Sequence, residues 1–191
     1  IGGESSRPGA KKISIEEEMQ RVIPSIIDFK KNNLVTQISL DTRNLPTMKL
    51  GLESGVDIIN DISGFADHNK IKFVSKFNLP VIVMHMQNEP NNMQIEPKYS
   101  FAPIDIYKIL SKRVNLLIQM GVNKSNIVVD PGIGFGKNIY HNLEILRNVS
   151  LFHSLGVPIL IGLSRKTFIH EVVVKGYKYE GITKRLISPT K

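Results

Sequence analysis

Short runs of β-branched and aliphatic residues alternate with longer amphipathic stretches along most of this chain, and each short run stops on a polar side chain. Such a run reads as a strand of a buried parallel sheet, whereas apolar residues spaced three and four apart read as the inner face of a helix. Residues 1–12 read as the tail of a strand and a loop. Ser14 and Glu17 form a capping-box pattern that opens a helix running to about Lys31. Its apolar face is Met19, Val22, Ile23, Ile26, Ile27 and Phe29, and Pro24 is expected to kink it. Val35 to Leu40 reads as a strand ending at Asp41. Asn44 to Glu53 reads as a short helix with Pro46 in its first turn and Gly55 as its stop. Asp57 to Ile59 is a strand ending at Asn60, residues 67–77 a helix, and Val81 to Met84 a strand ending at His85. A loop rich in Asn and Pro follows to about Ala102. Pro103 to Met120 reads as a helix closed by Gly121, Ile127 to Val129 as a strand ending at Asp130, and Asn142 to His153 as a helix. Pro158 to Gly162 reads as a strand leading into Ser164-Arg165-Lys166, and Phe168 to Val174 begins another helix. Beyond Lys175 the pattern dissolves into Gly, Lys and Tyr.

Strict strand–helix alternation predicts parallel strands joined by right-handed crossovers. Two closures fit: an open doubly wound sheet, or a (β/α)₈ barrel. No Gly-x-Gly-x-x-Gly opens a helix, and Gly132, Gly134 and Gly136 have the wrong spacing, which argues against a dinucleotide site. Asp41, Asn60, His85, Asp130 and Ser164 all stand at successive strand ends. A barrel gathers those positions around one mouth, while an open sheet spreads them along an edge. The fold class expected is therefore α/β, a (β/α)₈ barrel. No linker or repeat divides the chain, so residues 1–191 read as one domain.

Composition changes the picture modestly. The chain has 191 residues, net charge +8 and no cysteine. A barrel of this kind typically needs about 250 residues, so the expectation is a piece of a larger barrel, incomplete at both ends. The absence of cysteine argues against a disulfide framework and suits a cytoplasmic location. No apolar run approaches the roughly 20 residues of a membrane helix. The positive charge raises the possibility of nucleic acid, but the lysines are scattered with no aromatic interleaving. Lys70, Lys72, Lys76, Lys108 and Lys112 read as exposed helix faces. A basic balance also suits an anionic, phosphorylated small molecule.

The chemically richest stretch is Asp130-Pro131-Gly132-Ile133-Gly134-Phe135-Gly136-Lys137. An apolar strand there stops on a carboxylate and gives way to three spaced glycines, as in a loop whose backbone approaches a ligand closely. Asp130 can equally cap the next element, with the glycines serving as turns. Asp41 can be a cap, Asn60 can hold a turn, Phe135 can be core and Lys166 can be a surface lysine.

The whole motif resembles the pterin site of the dihydropteroate synthase family. Gly2-Gly3-Glu4-Ser5-Ser6-Arg7-Pro8-Gly9, Ile38-Ser39-Leu40-Asp41-Thr42, Ile58-Ile59-Asn60-Asp61-Ile62, Met84-His85-Met86-Gln87 and Ser164-Arg165-Lys166 appear in that family's order. The resemblance implies condensation of 6-hydroxymethyl-7,8-dihydropterin pyrophosphate with p-aminobenzoate, giving 7,8-dihydropteroate and pyrophosphate. Asp41, Asn60 and Asp130 would contact the pterin, with Met84 packing on it. Ser6 and Arg7 would sit on a mobile loop over the aryl amine, which Phe135 and Lys166 would flank. Asp41, Asp130 and Lys166 would carry the chemistry. The reaction would use Mg²⁺, but the family's metal-binding Asn and its Arg-x-His pyrophosphate site have no counterpart here, so no metal ligand is expected within this chain. Gly181 to Ser188 resembles the segment before the last two barrel units.

Two departures stand out. Ser6 replaces the family's usual Thr, and Asn88 stands where Gly is common. Substrates are the expected partners, with neither nucleic acid nor membrane, and a homodimer is a possible assembly. Two other readings remain. One is a non-catalytic or decayed fragment of such an enzyme, and activity of this chain alone is doubtful. The other is a barrel transferring methyl groups from methyltetrahydrofolate to a corrinoid, which should lack the Ser-Ser-Arg-Pro-Gly and Ser-Arg-Lys segments.

Overall fold

The computed structural model describes residues 1–32 and 35–174. The expectations for Lys175 onward, including Gly181 to Ser188, lie outside the described residues.

Among the described residues four parallel strands lie in sequential order: β1 (Ser39–Asp41), β2 (Ile58–Asp61), β3 (Val81–Met84) and β4 (Ile127–Asp130). A parallel bridge from Gly2 to Asp41 precedes β1, and another from Val129 to Ile159 follows β4. Each segment thus lies beside the next, with no reversal of order of the kind a doubly wound sheet requires. Among the described residues the architecture is the arc of a (β/α) barrel.

Among the described residues six α-helices accompany the strands. They are α1 (Ile15–Lys31), α2 (Leu45–Glu53), α3 (His68–Lys76), α4 (Ala102–Gln119), α5 (Ile139–Arg147) and α6 (Thr167–Val174). Strand residues alternate in direction, and parallel partners share a face. Leu40, Ile59, Val81, Val83, Ile127 and Val129 belong to one face and lie in the core with Val22 and Ile26 of α1, Ile71 and Val74 of α3, and Leu110 and Leu117 of α4. The register pairs Asp41 with Asn60 and Asn60 with Ile82, and further along it pairs Met84 with Asp130. Asp41, Asn60, Met84 and Asp130 therefore share the other face, at the C-terminal ends of their strands.

Several boundaries differ from the sequence reading. β1 starts only at Ser39, and Val35 is fully exposed at 100%. Propensity marks Val35 as strand-like, but residues 35–37 lie beyond the start of β2, so no ladder partner meets them. Asn138 caps α5 through a reciprocal pair with His141, so that helix begins earlier than expected. It ends at Arg147 because Asn148 closes it, its side-chain amide donating to Glu144 O at 2.8 Å. The expected continuation is instead a 3-10 helix, Val149–Leu155. Pro158 to Gly162 forms one bridge rather than a strand, since Pro158 has no N–H to give.

α1 continues through Pro24. Two further corrections concern side chains. Ser14 accepts from Glu17 N at 3.1 Å, but Glu17 pairs with Arg21 instead of returning to Ser14. Lys70 is buried rather than exposed, donating to Asp61 at 3.0 Å and Ser63 at 2.8 Å.

Candidate active site

Two acceptors at the strand ends are left open. Asn60 Oδ1 is buried and has no hydrogen-bond partner among the described residues. Asp41, its neighbour across the β1–β2 ladder, has its carboxyl pushed up to about 6, first by burial and further by Asp61, Glu18 and Asp130, against the opposing Ile1 amine. Asp130 accepts from Gly132 N at 2.7 Å. Burial raises its pKa, while that bond and the charges of Lys137 and Lys166 pull it down. An unsatisfied buried acceptor costs free energy. A concentration of acceptors on one face is thus prepared for a ligand rich in N–H donors.

Elsewhere the sequence supplies the missing partners. Asp61 accepts from Ser63 N and Oγ, Phe65 N and Lys70 Nζ, which occupies it fully. Glu18, buried on α1, accepts from Thr42 Oγ1 at 2.8 Å, Asn44 Nδ2 at 3.0 Å and Thr47 Oγ1 at 2.5 Å. It thereby pins the turn after β1, and with it Asp41. Sequence reasoning overlooked Glu18, although its spacing of four to Val22 and eight to Ile26 puts it on the apolar stripe.

Beyond β4 the glycine loop packs under the loop that follows β3. A methyl group on Gly132 would lie 1.9 Å from His85 O, and one on Gly136 would lie 2.7 Å from Gln87 O. Both glycines also have positive φ. Their close approach is therefore to protein backbone. Tyr99 holds the same junction by donating to Gly136 O at 2.8 Å, and Gln94 Nε2 donates to Gly134 O at 2.8 Å. Asn88 has φ +62°, the left-handed conformation that a glycine adopts readily.

Lys137, the end of the glycine motif and given no role from the sequence, lies buried in this junction. Its Nζ is 3.0 Å from His85 Nδ1 and 2.8 Å from Phe135 O. Burial lowers its pKa, with the charge of Asp130 opposing. Burial, helped by Lys137, pushes His85 down to about 2, which leaves the ring neutral.

Ser6, Arg7, Gln94, Phe135, Lys137 and Lys166 line a cavity of about 1000 Å³. Lys166 Nζ stands 4.2 Å from the centroid of the Phe135 ring, a cation–π contact. Burial lowers its pKa and Asp130 raises it. The candidate residues therefore form two groups. Asp41, Asn60, Met84 and Asp130 share the strand-end face, and Ser6, Arg7, Phe135 and Lys166 share the cavity. Asp130 and Lys166 join them electrostatically.

Among the described residues, no three His, Cys, Asp or Glu side chains come together as a metal site. These residues do not by themselves fit Mg²⁺. No described helix is long and apolar enough to cross a membrane.

A family of pterin binding enzymes matches residues 1–187. The chain is 39% identical over 175 residues to the dihydropteroate synthase of Haemophilus influenzae, covering 92% of this chain and 63% of that protein. It is 36% identical over 176 residues to that of Escherichia coli, covering 92% and 62%. Its structure resembles the Xanthomonas albilineans dihydropteroate synthase solved with 4-aminobenzoic acid, with a TM-score of 0.83 and 34% identity over 93% of this chain and 62% of that one. The chain thus spans less than two thirds of the length of these relatives.

Proposed function

The chain belongs to the family of pterin binding enzymes, and on that premise we propose that it carries the pterin and aryl-amine sites of a dihydropteroate synthase. The single observation that carries the reading is the unpartnered Asn60 Oδ1 beside Asp41 on the face shared with Asp130. A pterin offers a 2-amino group and ring N–H donors, which two carboxylates and an amide match. A wrong ring would leave those buried acceptors unpaired, which makes such a site selective.

In the proposed reaction the C–O bond of the hydroxymethyl pyrophosphate breaks and pyrophosphate leaves with the electron pair. The nitrogen of p-aminobenzoate then bonds to the exposed methylene carbon and loses a proton. Charge develops as a pterin cation, which the Asp41 and Asp130 carboxylates stabilise. The cavity would hold the aryl amine, with its ring near Phe135 and Lys166 and with Arg7 and Ser6 above. The aryl carboxylate is anionic, which suits the cations Arg7 and Lys166. Mg²⁺, a cytoplasmic location, a homodimer and the reading of residues 1–191 as one domain belong to the proposal as expectations from the resemblance.

The test is calorimetric titration of the chain with a 6-hydroxymethylpterin, followed by 4-aminobenzoate in the presence of that pterin and pyrophosphate. Pterin binding that requires Asn60 is expected. Equal pterin affinity in wild type and Asn60→Leu overturns the assignment.

A further inference from the structure

We propose that Arg43 is a positioning residue that straps the loop carrying Ser6 and Arg7 to the loop following β3, across the cavity mouth. The inference rests on the proposed aryl-amine site for its functional consequence, and on geometry alone for the strap itself.

Arg43 stands two residues beyond Asp41, where the chain leaves β1. Each nitrogen of its guanidinium is engaged by one of two carboxylates from different loops. Nε donates to Glu4 Oε2 at 2.8 Å and Nη2 to Glu4 Oε1 at 3.0 Å, a two-pronged pairing that fixes orientation as well as distance. Nη1 donates to Glu89 Oε2. The Glu4 side chain is only 10% exposed and Arg43 13%, whereas Glu89 is 63% exposed. The inner pair is sheltered from screening, and the outer carboxylate closes over it from the second loop.

Both loops reach the cavity. Glu4 lies two and three residues before Ser6 and Arg7, which line it, and Glu89 lies five residues before Gln94, which lines it from the other side. Gly9 N donates to Pro90 O at 3.1 Å, a second tie between the same two loops. The far loop is anchored beyond Glu89, through buried Met93 and through Gln94 donating to Gly134 O at 2.8 Å. The near loop has little else holding its tip, because Arg7, Pro8 and Gly9 are exposed. Arg43 therefore ties the tips of the two loops to each other at the cavity mouth. It reaches no group of the strand-end acceptor set, so its effect falls on the aryl amine and not on the pterin.

The test combines amide hydrogen exchange with binding, using wild type, Arg43→Met, Glu89→Gln and the charge swap Glu4→Arg with Arg43→Glu. Glu89→Gln removes the charge of the exposed arm, leaving a poorer neutral acceptor, and keeps the buried Arg43–Glu4 pair, so it folds even where Arg43→Met does not. Exchange in segments 4–12 and 86–92 is expected to rise together, by roughly tenfold, in Glu89→Gln and Arg43→Met. The affinity for 4-aminobenzoate, measured with pterin and pyrophosphate present, should fall by about fivefold to tenfold, with pterin affinity unchanged. The charge swap restores the inner pair but sets the carboxylate introduced at position 43 against Glu89, so the tie to the far loop should stay loose. Unchanged exchange in either segment of Glu89→Gln overturns the strap, as does an equal loss of pterin and 4-aminobenzoate affinity. If wild type binds neither ligand while the two segments still loosen together, the strap stands and the proposed function falls.

Discussion

Asn60 and Asp61 are consecutive residues of β2 with opposite hydrogen-bonding fates. Asp61 is fully buried and saturated, accepting from Ser63, Phe65 and Lys70. Asn60 Oδ1 is buried with no partner among the described residues. The cause is the strand period of two, which turns one side chain toward the helix layer and the other toward the barrel interior.

The two residues should therefore respond to substitution with opposite signs. Asn60→Leu removes an unsatisfied buried amide and should raise stability by roughly 1 kcal/mol while abolishing pterin binding. Asp61→Ala strands the buried Lys70 ammonium and should lower stability by about 3–5 kcal/mol. Urea denaturation of both variants decides the point, and loss of stability in both would place Asn60 among structural residues.

Asp130→Asn should weaken pterin binding by about tenfold to a hundredfold and leave the fold intact. A charge-assisted hydrogen bond contributes about 1.5–3 kcal/mol, and the amide is a poorer acceptor. Titration of a pterin analogue into both proteins measures the difference, and equal affinities would remove Asp130 from the site.

Asp41 sets a pH dependence. Its carboxyl is raised from 3.8 to about 6 in the folded chain, chiefly by burial. The unfolded chain then binds fewer protons than the folded one between those values, so this group's contribution to stability is present below pH 3.8 and is lost as pH rises through about 6. Asp41→Asn should flatten that part of the stability profile. Pterin binding needs the ionised acceptor, so affinity should climb as pH rises through about 6 in wild type and stay level in the variant. Calorimetry between pH 5 and 8, where Asp41 passes from mostly protonated to ionised, reads both trends.

Lys137→Met should cost roughly 1–3 kcal/mol, because Phe135 O loses its donor and His85 Nδ1 its hydrogen-bond partner. The His85 ring should also titrate at higher pH, since one of the two causes holding it down is gone. Burial, the larger cause, remains, so the rise is partial. NMR titration of the His85 ring follows the change, and an unmoved titration would detach Lys137 from it.

Gly132→Ala should prevent the β3 and β4 loops from packing, because the added methyl would lie 1.9 Å from His85 O. Loss of the cooperative thermal transition is the expected outcome. A variant as stable as wild type would show that the junction can open without consequence.

The sequence by itself determined the alternation of strand and helix and the polar residue at each strand end. Both are local: β-branched runs such as Ile127 to Val129 and the apolar spacing of Val22 and Ile26 depend only on neighbours along the chain. Caps were legible for the same reason, with Ser14 starting α1 and Gly121 following α4. The resemblance added the candidate residues, but their relative placement required the ladder register. Only the tertiary structure decided that Val35 has no strand partner, that Lys70 is buried on Asp61, and that Gly132 and Gly136 make room for His85 and Gln87. It alone joined Glu4, Arg43 and Glu89, which are 39 and 46 residues apart in sequence. Burial and pairing depend on which distant groups arrive at the same place, and neither periodicity nor composition carries that information.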